Sequence, residues 1–146
     1  MAKFGTKRKE FPPFGVMYLA SVIEKAGHKV KLFKISRENT KINFRDFEIV
    51  GFSMPSSVTY PLVKECRFKS MFKDGSLILA GGVHASIYPV QTLDDLRADI
   101  LCLGEGENTI LEIINQFTTH NFEKVNGICY FINSRSIFTL VLRFAL

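Results

Sequence analysis

Three stretches of this chain hold residue types that could do chemistry. The first is Leu77 to Ser86, where an apolar run ends in Gly81-Gly82 and His84 follows. Paired glycines carry no Cβ, so the backbone there can approach something flat or bulky. Taken alone, the pair is equally a tight strand-to-helix turn with no ligand. His84 is placed to contact a ligand, although a lone histidine also serves as a polar turn residue. The second stretch is Gly104-Glu105-Gly106-Glu107. It has the outline of a dinucleotide loop, but two carboxylates at a helix amino terminus repel a pyrophosphate. Thr109 also stands where GxGxxG needs its third glycine. Those acids suit the positive end of a helix dipole, or accept hydrogen bonds from a neutral part of a ligand. The third stretch offers the hydroxyls of Ser53, Ser56, Ser57 and Thr59, which can bond the edges of a slab-like group. Thr59 read singly is an ordinary helix cap.

No Ser-His-Asp or Cys-His arrangement is legible, and no cluster has metal-ligand spacing. The residues therefore predict a binding site, with no catalytic residue and no metal ligand.

The elements that must position these loops follow from periodicity. Leu77 to Ala80 is a continuous apolar run, the mark of a strand buried on both faces of a parallel sheet. Ahead of it, Val16, Met17, Leu19, Ala20, Val22 and Ile23 recur at helical spacing, and Gly27 stops that helix. Lys29 to Phe33 alternates as a half-exposed strand, and Phe47 to Ser53 is predicted as a second strand. A helix is expected from Thr59 to about Phe72, closed by Asp74-Gly75. After the Leu77 strand come a short helix from Pro89 to Leu96, a strand from Asp99 to Leu103 and a helix from Asn108 to Phe117. Gly127 to Ile132 and Ile137 to Leu142, flanking Asn133-Ser134-Arg135, read as a hairpin. Alternating strands and helices imply right-handed βαβ units, hence an α/β fold with a mostly parallel sheet. The three loops of interest then all leave carboxyl ends of strands, where such sheets bind ligands. His28 falls at the opposite end and His120 beyond the last helix.

Composition narrows the class. With 146 residues, 47% hydrophobic and 23% charged, the chain is expected to form one domain with a real core. No apolar run approaches a membrane span, and no signal-peptide pattern opens the chain. Cys66, Cys102 and Cys129 lack CxxC spacing and read as buried thiols of a reducing cytosol, so a cytoplasmic location is expected. The net charge of +5 gathers in Lys3, Lys7, Arg8, Lys9 and the 64–73 helix. Without interleaved aromatics it reads as solvated surface, and neither nucleic acid nor membrane is an expected partner. Residues 1–10 read as a basic flexible lead-in, 11–132 as the domain, and 133–146 as a return strand and tail.

With these residues in hand, several segments fall in a recognisable order. They are Pro12-Pro13-Phe14-Gly15-Val16-Met17-Tyr18-Leu19-Ala20, Ala26-Gly27-His28-Lys29-Val30 and Ile49-Val50-Gly51-Phe52-Ser53. Gly81-Gly82-Val83-His84-Ala85, Leu103-Gly104-Glu105-Gly106-Glu107 and Gly127-Ile128-Cys129-Tyr130 follow. Together they resemble the cobalamin-binding domain found in front of radical S-adenosylmethionine enzymes. The resemblance implies a flavodoxin-like (Rossmann-like) fold and cobalamin as cofactor, with its cobalt as the bound metal. It implies that Ser53, Ser57 and Thr59 line the nucleotide tail, that Gly81 and Gly82 let it pass, and that Gly104, Glu105, Gly106 and Glu107 flank it. His84 is a further expected contact. Gly82→Leu is then expected to block the tail channel while sparing the fold.

The chain departs from that family in three respects. The family opens with an apolar central strand, which residues 1–10 do not supply. The DxHxxG motif that gives corrinoid carriers their cobalt ligand is missing, as it is in many radical-enzyme relatives. The CxxxCxxC motif is absent, so no iron–sulfur cluster is expected in this chain. The implied protein is a truncated corrinoid-binding module of radical methyltransferases and cyclases, not catalytic alone, and the sequence leaves open whether a separate chain supplies the radical S-adenosylmethionine domain. The rival reading is a degenerate Rossmann-like fragment serving only protein interaction. A missing first strand would leave its neighbours with an open apolar edge, which predicts a marginal monomer prone to self-association.

Overall fold

In the computed structural model, which describes residues 13–132 and 135–139, short apolar strands alternate with helices that cover both faces of a sheet. Helix α1 (Phe14–Lys25) is followed by β1 (Asn43–Phe44), β2 (Ile49–Ser53), α2 (Tyr60–Lys69) and β3 (Met71–Phe72). Next come β4 (Leu77–Gly81), α3 (Val83–Ile87), α4 (Pro89–Leu96) and β5 (Ile100–Cys102). Helix α5 (Glu107–Gln116), a 3-10 turn over Phe122–Lys124, β6 (Ile128–Ile132) and β7 (Arg135–Thr139) complete the order.

The main sheet runs β2-β4-β5-β6-β7. Its first three strands are parallel, and β6 and β7 close it as an antiparallel hairpin. The continuous apolar run of β4 sits inside, with Leu77 to Ala80 all buried. Strand side chains alternate between two cores, as a period of two requires. Val50, Phe52, Ile78, Ala80, Leu101 and Cys129 meet Val63 and Cys66 of α2 and Leu93 and Leu96 of α4. Leu77, Leu79, Ile100 and Ile128 meet Ile110 and Ile113 of α5, with Leu19 and Ile23 of α1 packed alongside. Fully buried leucines such as Leu93 and Leu96 each contribute about 2–3 kcal/mol by leaving water.

Several local expectations are corrected. Lys29 to Phe33 forms no strand, because no described strand lies beside it to complete a ladder. Aromatic packing holds the segment instead: Phe33 stands edge-on to Phe44 at 5.2 Å and to Phe47 at 5.6 Å. Helix α2 stops at Lys69 rather than near Phe72. Ser70 is extended there, and its hydroxyl accepts from Ile42 N at 3.0 Å and donates to Thr40 O. That contact draws Met71 and Phe72 into β3, which pairs with β1. The one-turn helix α3 was not expected, and the return strand begins at Arg135 rather than Ile137. The expectations for a missing first strand and for the lead-in fall on residues 1–12, outside the described residues.

Candidate functional site

The parallel strands β2, β4 and β5 are neighbours, so their carboxyl ends bring three loops to one rim. The loops are tied to one another by backbone bonds and by one serine hydroxyl. Met54 N donates to Gly81 O at 2.8 Å, and His84 N donates to Met54 O at 3.2 Å. The Ser86 hydroxyl donates to Gly82 O at 3.1 Å and accepts from Gly104 N at 3.0 Å, joining the third loop to the second.

Gly82 is the tightest point of this arrangement. It adopts φ 103° and ψ −177°, a region used almost only by glycine. A Cβ there would lie 2.6 Å from the Met54 carbonyl oxygen. The expectation that Gly82→Leu spares the fold is therefore corrected, because the side chain would collide with the chain's own backbone. Gly81 and Gly106 also turn toward protein neighbours, Cys102 Cβ at 3.4 Å and Leu19 Cδ2 at 3.3 Å. Gly104, at φ 71°, has open space beside it.

His84 faces inward. It is buried, stacked on Tyr60 with centroids 4.2 Å apart and tilted against Tyr88 at 5.4 Å. Its Nδ1 lies 2.9 Å from the Ser57 hydroxyl, and its buried Nε2 has no hydrogen-bond partner among the described residues. The Tyr60 hydroxyl donates to Asp95, which also pairs with Lys64 at 3.0 Å. Burial and that bond raise the Tyr60 phenol above its ordinary range. The bond from Tyr60, with help from Lys64, holds the Asp95 carboxyl below its usual value. Neither Tyr60 nor Asp95 stood out in the sequence, because their pairing depends on how α2 meets α4.

The remaining candidates sort by exposure. Ser53, Ser57, Gly104 and Glu105 are exposed, whereas Ser56, Thr59, Gly81, Gly82, Gly106 and Glu107 are half-buried. Thr59 occupies the cap position of α2, but its hydroxyl donates to Ser56 O at 2.8 Å rather than capping the helix. Glu107 lies in the first turn of α5, where its charge complements the helix dipole. Val58, 87% exposed, and Val83 and Ile87 add apolar surface to the same loops. Sequence reasoning gave no signal for them, since each is a single apolar residue among polar ones.

The three cysteines are not poised as nucleophiles. Burial pushes the Cys102 thiol up to about 12 and raises Cys66 and Cys129 as well, so none of the three is a ready thiolate. Among the described residues no group of three or more His, Cys, Asp or Glu side chains could hold a metal ion. A cleft of about 1040 Å³ opens at the opposite end of the sheet, between Leu93, Arg97, His120 and Tyr130.

Residues 4–114 match the family model of the B12 binding domain. The chain belongs to that family. As a B12-binding domain it is 25% identical over 124 residues to cytidylyl-2-hydroxyethylphosphonate methyltransferase of Streptomyces wedmorensis, covering 68% of this chain and 23% of that protein. Its fold is similar to that of the radical S-adenosylmethionine methyltransferase TsrM of Kitasatospora setae, solved with cobalamin and a [4Fe-4S] cluster bound. That likeness has a TM-score of 0.71 at 12% identity, over 95% of this chain and 28% of TsrM. A second TsrM structure, with tryptophan and a SAM analog, gives the same TM-score at 14% identity, over 91% of this chain and 28% of TsrM. The chain thus spans about a quarter of the length of these relatives.

The rim fits a corrinoid chemically. Such a ligand presents apolar ring faces and amide edges. Against these the domain sets exposed Val58 and Val83, the hydroxyls of Ser53 and Ser57, the Glu105 carboxylate and the bare backbone at Gly104.

Proposed function

We propose that this B12-binding domain holds cobalamin on the rim formed by the β2–α2, β4–α3 and β5–α5 loops, and is not catalytic alone. The observation that carries the reading is the rim itself. Three loops are locked side by side by backbone bonds through Met54, Gly81 and His84 and by the bond from Gly104 N to the Ser86 hydroxyl, with hydroxyls and apolar surface left outward. Ser53, Ser57 and Glu105 would meet the amide edges of the ligand. Gly104 would allow close approach, and Val58 and Val83 would pack on it. Thr59, Gly81, Gly82, His84, Gly106 and Glu107 would act from beneath, by fixing where those groups stand. Bound cobalamin would supply a cobalt centre able to carry a one-carbon group.

A radical S-adenosylmethionine domain would then provide the reaction, with residues 11–132 as the cobalamin-binding unit. The free thiols Cys66, Cys102 and Cys129 suit a reducing cytosol. No described helix is long and apolar enough to cross a membrane.

The test is direct. The protein is mixed with hydroxocobalamin, desalted, and its visible spectrum recorded. Retention of the corrinoid at one equivalent is expected, without methyl transfer when S-adenosylmethionine is added. A spectrum free of corrinoid after desalting overturns the reading.

A further inference from the structure

The cleft at the opposite end of the sheet from the rim joins three features that the cobalamin reading does not use. It holds about 1040 Å³ and opens where β4 and β5 begin and β6 ends. The first feature is Tyr130 on its wall, only 7% exposed, whose buried hydroxyl has no hydrogen-bond partner among the described residues. A buried hydroxyl left without a bond is costly, and native structures rarely keep one without a use.

The second feature is a one-sided charge. Asp94 and Glu123 line the cleft, are exposed, and form no ion pair among the described residues. Asp99 lines it too, with one carboxylate oxygen accepting from Ile78 N at 2.6 Å. Arg97 is the one lysine or arginine among the described lining residues, and its guanidinium lies over the Phe68 ring of α2 at 5.9 Å. Helix α4 ends there as well, and a helix carboxyl end carries partial negative charge. The Glu123 charge reaches Tyr130: burial raises the phenol, and the carboxylate raises it further.

The third feature is apolar surface beside that charge. Phe131 and Ile132 line the cleft at 39% and 37% exposed, next to the rings of His120 and Phe122. Among the described residues no group of three or more His, Cys, Asp or Glu side chains could hold a metal ion, so the charge suits an organic cation instead. We propose that this cleft is a second binding site, for a small organic amine with an apolar or aromatic body. The ammonium group donates to the Tyr130 hydroxyl beside Glu123, Asp94 adds attraction, and the body rests on Phe131 and Ile132. An acid of the same shape meets like charge there.

The proposal does not depend on the cobalamin reading, and its test uses the full chain with no corrinoid added. In an amide NMR titration, phenylethylamine is expected to bind along a single saturable curve. The signals that move should be those of Arg97 to Ile100, Thr119 to Glu123 and Tyr130 to Ile132, with the rim loops still. Phenylpropionate, which carries a carboxylate in place of the ammonium, should bind about tenfold more weakly or worse. Glu123→Gln and Asp94→Asn should each weaken the amine about twofold to fivefold, as for a solvent-exposed ion pair. Tyr130→Phe should weaken it too while leaving the thermal midpoint unchanged or higher, because the free protein has no bond there to lose. No saturable binding of phenylethylamine overturns the proposal, as do equal binding of phenylpropionate and shifts confined to the rim. An affinity indifferent to both Glu123→Gln and Asp94→Asn overturns it equally. So does a destabilised or unfolded Tyr130→Phe, which would show that the hydroxyl is already bonded within the protein.

Discussion

Replacing Gly82 by alanine should be far more damaging than replacing a glycine elsewhere with the same sign of φ. At φ 103° and ψ −177° an L-residue pays about 1–3 kcal/mol in backbone strain. The added methyl would also stand 2.6 Å from the Met54 carbonyl oxygen, so the two loops must part. Parting them weakens the bonds from His84 N to Met54 O and from Met54 N to Gly81 O, worth about 1 kcal/mol each. The expected loss is about 3–5 kcal/mol, a large share of the roughly 5–15 kcal/mol by which domains are stable. Gly75→Ala is the control: φ is 77° there, but nothing lies within 4 Å of the new methyl, so strain alone operates at about 1–2 kcal/mol. The chain has no tryptophan, so urea denaturation is best followed by far-UV circular dichroism, comparing midpoints at an unchanged slope. If Gly82→Ala proves no more costly than Gly75→Ala, the packing of Gly82 on Met54 is not what fixes this loop.

Ser57→Ala removes the hydroxyl 2.9 Å from His84 Nδ1, and Nε2 has no partner among the described residues, so a loss of about 1–3 kcal/mol is expected, with faster amide exchange over 54–59. Unchanged exchange there would show that the serine does not tether the loop. Tyr60, raised first by burial and then by its bond to Asp95, should keep its proton past the ordinary tyrosine value of about 10. The stability it contributes is full below about pH 10 and fades as pH rises through the higher folded value. Asp95 runs the other way, its contribution being present above about pH 4 and lost as pH falls through its lowered folded value. In an absorbance titration Asp95→Asn should bring the Tyr60 transition down only part of the way, because burial is the larger cause, and an unmoved transition would refute the coupling.

What the sequence made legible is what local pattern controls. The run Leu77 to Ala80 reads as a doubly buried strand because both cores claim its side chains, and its placement between β2 and β5 follows from chain order. That order is enough to put the Ser53, Gly81 and Gly104 loops on one rim. What stayed hidden depends on partners distant in the chain. Lys29 to Phe33 alternates like a strand, yet alternation says nothing of whether a neighbour is present to bond it. Ser70 diverts the chain out of α2 through contacts with Thr40 and Ile42, which no periodicity in 59–72 reveals. The Gly81-Gly82 pair was visible, but the atom that excludes a Cβ at Gly82 belongs to Met54 on another loop. His84 looked like a rim residue because it follows those glycines, and its burial is decided by Tyr60 and Tyr88 closing over it.

The same contacts set this glycine-bearing rim apart from a phosphate loop. A phosphate loop binds through several free backbone N–H groups converging on one point at a helix amino terminus. Here three of the loop amides are already spent. His84 N is committed to Met54 O, Gly104 N to the Ser86 hydroxyl, and Ser86 N to Gly82 O. Freeing them would separate the loops that they hold together. Glu105 and Glu107 add negative charge where an anion would have to sit. With those three donors turned inward, the outward groups of the rim are serine hydroxyls, a carboxylate and valines, which suit amide edges and apolar faces better than a bare phosphate.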